Sequence, residues 1–154
     1  MIFNPSGRMI NTEFNIIGNP LEAVSRFCYL GFEVCPSGTI TYAMKAMVDK
    51  GKKAMRPLMG AIAKFDIPTK TAIKLFHTFI SPIILYNVEN WCIFTDKRLE
   101  KYTDFSLFAA TDTSLADTLH RKFLKYLLGL NKSAPNLPAY GETNEMPLSF
   151  EGFR

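Results

Sequence analysis

Six aspartates, two histidines and three cysteines are the side chains of this 154-residue sequence best suited to chemistry, and their spacing organises little of it. Two-metal transfer to or from a phosphate needs two or three carboxylates converging on one pair of ions. Asp49, Asp66, Asp96, Asp104, Asp112 and Asp117 are never adjacent, and none closes a suitable strand–turn–strand. His77 and His120 are the only histidines, and each reads as a residue on the polar face of a helix. There is no Gly-x-Ser-x-Gly, His-Glu-x-x-His or phosphate-binding glycine loop. The sequence therefore points to no catalytic residue, no metal ligand and no bound cofactor.

A basic run is the better candidate. Residues 41–64 carry Lys45, Lys50, Lys52, Lys53, Arg56 and Lys64 against the single acid Asp49, so this segment is +5 and the remainder of the chain −1. On a helical wheel Lys45, Asp49, Lys52, Lys53 and Arg56 cluster opposite Met44, Met47, Val48, Met55, Leu58, Met59 and Ile62. Phosphates would satisfy such a field without reading sequence. The competing reading is an ordinary solvated helix face.

Length and composition fit one compact domain, 47% apolar and 21% charged. Cys28, Cys35 and Cys92 form no Cys-x-x-Cys pair, which suits a reducing intracellular compartment, nucleus or cytoplasm, with buried or inert thiols. Cys28 and Cys35 could in principle bridge, but nothing else in the sequence suggests secretion. The first residues, Met1–Arg8, lack the apolar core of a signal peptide. Ile73–Trp91 is too interrupted, by Lys74, His77, Pro82, Asn87 and Glu89, to span a bilayer, so no membrane partner is expected.

The patterning predicts an α+β fold: a small N-terminal antiparallel β segment, then a mainly α-helical bundle. Residues 1–40 read as β-rich, with strands at Thr12–Ile16, Leu21–Val24 and Arg26–Val34 and a turn at Gly18-Asn19-Pro20. Residues 41–95 read as basic and apolar helices, kinked or split at Pro57 and bent at Pro82, with a helix start at Ile67-Pro68-Thr69. In the second of these, Ala72, Ile73, Phe76, Phe79, Ile80, Ile83 and Ile84 form the apolar stripe. Residues 96–112 read as a connector. In 113–154, Ser114 caps a helix ending near Leu128 at Gly129, with Asp117 imitating a capping box, and a loop tail follows from Asn131. Leu115, Leu119, Phe123, Tyr126, Leu127 and Leu130 share its apolar face, and Arg121 and Lys125 lie opposite. Tyr86, Glu89 and Trp91 read as a structural corner closing the edge of a core.

Five segments in order resemble the region that follows the polymerase active site in non-LTR (LINE-type) retrotransposon reverse transcriptases. They are Met1–Gly7, Arg26-Phe27-Cys28-Tyr29-Leu30-Gly31, Ser81–Trp91, Leu119–Gly129, and Pro135–Glu142 with Pro147-Leu148. The third is similar to the family's Pro…Leu-Tyr-Gly-x-Glu-x-Trp element and the fourth to its Phe-x-Lys-x-Leu-Leu-Gly helix. Asn87 stands where the family has Gly, and Thr143–Met146 replaces a Leu-Gly-Arg-aromatic run.

The resemblance implies a palm edge followed by a thumb and linker, with the catalytic aspartates and the Mg site of the parent RNA-directed DNA polymerase upstream of Met1. Carried to this chain, Lys45, Lys52, Lys53 and Arg56 would contact phosphates of an RNA–DNA or RNA duplex, and Phe27, Tyr29 and Gly31 would border the primer. The chain alone would not polymerise. It would pair with the upstream polymerase part or a sister chain. The alternatives are a helical protein–protein module and a pseudogene product without a role.

Overall fold

The structure, a computed structural model, describes residues 14–22, 24–36, 41–87 and 114–151. The fold is α+β, two small antiparallel strand pairs followed by helices. The chain divides into two compact units, residues 1–46 and 47–154, and the division falls inside the first helix.

In the first unit, β1 (Asn15–Ile16) pairs with β2 (Asn19–Pro20), and β3 (Phe27–Tyr29) pairs with β4 (Phe32–Val34). Both hairpins turn on two residues of positive φ, Ile17 (52°) with Gly18 (78°) and Leu30 (47°) with Gly31 (81°). That pair of left-handed residues matches the twist of the flanking strands. Arg26–Val34 is thus a hairpin and not one strand, Leu21–Val24 contains no strand among its described residues, and the first turn lies at Ile17-Gly18. Cys28 is exposed and Cys35 buried, and no disulfide joins the two.

Helix α1 (Thr41–Phe65) runs through Pro57 without a break. The bond that Pro57 cannot donate would have gone to the carbonyl of Lys53, and both residues are exposed, so water can serve that oxygen. Asp66 ends the helix in the left-handed region (φ 48°), and the Ile67 amide reaches back to the Ile62 carbonyl at 3.2 Å. Helix α2 (Thr69–Phe79) follows Pro68 and breaks at Ile80, and α3 (Ser81–Ile84) carries Pro82 in its first turn.

Helix α4 (Leu115–Leu127) starts on the capping serine the sequence predicts. Ser114 Oγ accepts from the Asp117 amide at 3.1 Å and donates to Asp117 Oδ2 at 2.6 Å. The same buried carboxylate accepts from the amide and the hydroxyl of Ser149, anchoring the short α6 (Leu148–Glu151). Gly129 (φ 65°) stops α4, with the Leu130 amide bonded to the Lys125 carbonyl at 2.8 Å and the Gly129 amide to that of Tyr126 at 3.1 Å.

The tail is not a loop, because α5 (Asn136–Thr143) lies within it. Pro138 falls in its first turn, where no intrahelical donor is lost. The core of the second unit gathers Val48, Phe76, Ile80, Ile84, Leu119, Phe123 and Tyr140, with Phe76 stacked on Phe123 at 4.5 Å.

Several expected core residues are exposed instead, namely Phe79, Leu115, Tyr126 and Leu130. Tyr86 is 47% exposed, and its expected partners at a corner, Glu89 and Trp91, lie outside the described residues, as do Cys92 and the connector 96–112. Among the described residues no helix is long and apolar enough to cross a membrane.

Two glycines of α1 predict opposite outcomes. A Cβ on Gly51 would stand 2.7 Å from Ile84 Cγ1 and 3.3 Å from Leu119 Cδ2, whereas one on Gly60 meets nothing within 4 Å. Gly60→Ala should stabilise by up to ~1 kcal/mol through helix propensity. Gly51→Ala gains the same propensity but overpacks by ~1–3 kcal/mol, so it should be neutral to destabilising. Urea unfolding of the two variants checks the contrast.

Candidate nucleic-acid interface and a buried histidine–carboxylate cluster

Lys45, Lys52, Lys53 and Arg56 are all exposed on α1, Lys45 in the first unit and the other three in the second. Lys52 Nζ pairs with Asp49 Oδ1 at 2.8 Å, a contact in water that contributes little. Among the described residues no carboxylate pairs with Lys53 or Arg56. Lys52, Met55, Arg56 and Met59 succeed one another at i, i+3, i+4 and i+7, so these two cations border the two methionines along one strip of the helix and do not stand opposite them as the wheel suggests.

Met55 and Met59 form one wall of a cleft of about 440 Å³ within the second unit. Arg121, Lys122 and Lys125 of α4 and Lys132 of the following turn line it as well. Tyr126 Oη donates to the Met59 carbonyl at 3.2 Å and ties the walls together.

The cations of this cleft have different tasks. Lys125 Nζ donates to the carbonyls of Lys132 (3.2 Å) and Ala134 (2.6 Å), so its ammonium holds the turn after α4. Burial, and then the neighbouring Arg121, pull its pKa below the usual lysine range. Arg121 is buried and donates from Nη2 to Thr118 Oγ1 at 3.0 Å. Lys122 and Lys132 are exposed and available to an anionic ligand. A flexible apolar wall with cations beside it suits a ligand carrying phosphates next to less polar groups.

The sequence alone places Arg121 and Lys125 on the solvent side of α4, and the structure corrects this. Both are buried, their stems covered while their charged ends reach polar atoms. The run Leu119-His120-Arg121-Lys122-Phe123-Leu124-Lys125, four cationic or titratable residues in seven, was the available signal for the second wall. Phe27 and Tyr29 are 51% and 62% exposed on β3, and Gly31 is exposed in its turn.

His120 is likewise not on a polar face, since it is fully buried and stacks on Phe76 at 5.1 Å. It meets His77, on the last turn of α2, edge to face at 5.8 Å. Glu145 completes the group. Asn144 takes φ 55° just past α5, and the Glu145 amide bonds the Tyr140 carbonyl at 3.1 Å, a turn that fixes where the carboxylate emerges. His77 Nε2 lies 2.7 Å from Glu145 Oε2 and His77 Nδ1 3.3 Å from Ser81 Oγ. A hydroxyl, an imidazole and a carboxylate thus run in series, with the buried Ser81 orienting the ring rather than offering a nucleophile.

His120 Nε2 stands 3.9 Å from Glu145 Oε2, and among the described residues neither of its ring nitrogens finds a hydrogen-bond partner. Burial, with His77 and Arg121 adding to it, pushes its pKa down to about 3. Desolvation outweighs the attraction of the carboxylate, so the 3.9 Å contact is no ion pair at neutral pH. Comparison with family models, with curated proteins and with solved structures finds no match.

The depressed histidine makes stability depend on pH. Above about 6.5 the ring is neutral folded or unfolded and contributes no slope. Below that, the unfolded chain takes up a proton the folded chain refuses, and stability falls with pH by up to ~1.4 kcal/mol per unit until about 3. Urea unfolding in metal-free buffer at pH 7, 6 and 5 should show this loss, and His120→Phe should remove its share of the slope.

Proposed function

We propose that this chain corresponds to the post-catalytic region of a non-LTR reverse transcriptase, a fragment without the catalytic aspartates that holds template–primer duplex by its backbone. The observation that carries the reading is the basic cleft. Arg121, Lys122, Lys125 and Lys132 line it together with Met55 and Met59, and Lys52 and Arg56 are neighbours of those methionines on α1. Cations arranged about a groove bind phosphates by releasing counterions, with no demand on base sequence. The exposed Phe27 and Tyr29 of the first unit suit contact with the primer. They equally suit a covering protein chain, which is the competing reading.

Fluorescence anisotropy with an RNA–DNA hybrid separates the two. Binding should be sequence-independent and weaken steeply with salt. The combined substitutions Lys45→Glu, Lys52→Glu, Lys53→Glu and Arg56→Glu should abolish it. Lys122→Gln with Lys132→Gln should lower the slope of log K against log salt by up to ~2, about 0.9 for each phosphate no longer neutralised. Unchanged binding in both variants would remove the cleft as the interface. A salt-insensitive oligomer without hybrid affinity would favour the protein–protein module.

A further inference from the structure

We propose that His77, His120 and Glu145 form a site for one divalent transition-metal ion of the zinc type. Three elements supply the ligands: α2, α4 and the turn after α5. One ligating atom from each lies within 4.8 Å of the other two. Two imidazoles and a carboxylate are a ligand set that zinc accepts with a fourth, open position for water. Magnesium and calcium prefer oxygen ligands and fit it poorly.

The geometry is close to what a tetrahedral ion requires. Bonds of about 2.0–2.2 Å at tetrahedral angles put ligand atoms about 3.3–3.6 Å apart. The His77–Glu145 pair stands at 2.7 Å and the His120–Glu145 pair at 3.9 Å, on either side of that range. Side-chain shifts on the order of 1 Å would bring these pairs, and the His77–His120 pair that lies within 4.8 Å, to the spacing that zinc bonds require.

The surroundings support the assignment independently of the spacing. His120 is a fully buried imidazole whose ring nitrogens have no hydrogen-bond partner among the described residues, an arrangement that otherwise only costs stability. A metal bound at Nε2 would give that lone pair its partner. Ser81 Oγ, 3.3 Å from His77 Nδ1, is the outer hydroxyl that fixes a ligating ring and leaves Nε2 for the ion. The side chains of His77 and Glu145 are 27% and 17% exposed, so the ion has a route in from their side. On binding, the proton that His77 Nε2 shares with Glu145 leaves to solvent, and the ion takes its place between them. None of this involves the basic cleft, so this site and the duplex-binding reading can fail separately.

The test uses the full chain, untagged and stripped with chelator, titrated with zinc chloride in a calorimeter. Binding should saturate at one ion per chain and raise the melting temperature as free zinc increases. His77→Gln and Glu145→Gln, both at partly exposed positions, should each weaken binding by about 100-fold or more, since each removes one of three ligands. Cobalt titration of the unaltered chain needs no variant and should give the intense visible bands of a four-coordinate site. No saturable zinc binding, affinity unchanged in both variants, or a cobalt spectrum like that of the free hydrated ion would overturn the proposal.

Discussion

Burial around most of the circumference of α4 is the constraint on which the second unit depends. Eight of its thirteen residues are buried, more than one apolar stripe provides, so polar side chains must go inside with the leucines. Each then needs a partner within the protein. Asp117 takes donors from Ser114 and Ser149 and so joins the start of the helix to α6. Lys125 takes the carbonyls of the turn that follows. His120 lies flat on Phe76, which itself stacks on Phe123. Gly51 lets Ile84 and Leu119 approach α1 closely from the other direction.

Both candidate sites follow from that burial. Arg121, Lys122 and Lys125 enter the cleft beside Met55 and Met59, while His120, one residue away, turns into the group with His77 and Glu145. Successive residues on a helix point about 100° apart, so one segment can line two different sites. The cleft presents exposed charge to a large anion. The histidine cluster presents neutral nitrogen and a carboxylate in a largely dry setting, which suits a small cation.

Much of the backbone was legible in the sequence because local rules govern it. The 44–62 periodicity marks α1, Ser114 marks the start of α4 and Gly129 its end, and Asn87 takes the left-handed conformation (φ 60°) that its side chain tolerates. The hairpin at Leu30-Gly31 was hidden because its residues alternate like a continuous strand, and only the positive φ of both turn residues distinguishes the two. Helix α5 was hidden by Pro138 and Gly141, residues that usually mark loops. The basic stripe of α1 was readable from charge alone. The second wall of the cleft was not, since a wheel assumes a single buried face and put Arg121 and Lys125 in water. His120 and Glu145 are 25 residues apart, and only the left-handed turn at Asn144 brings the carboxylate back to α4.

We propose that a nucleic-acid backbone lies in the groove between α1 and α4. Photo-cross-linking of the full chain to an RNA–DNA hybrid carrying reactive groups along both strands, read by mass spectrometry, tests it most directly. The account predicts cross-links on both walls, at Met55 or Met59 on one side and between Lys122 and Lys132 on the other, disappearing as salt is raised. Cross-links that avoid both walls, or that persist unchanged at high salt, would contradict it.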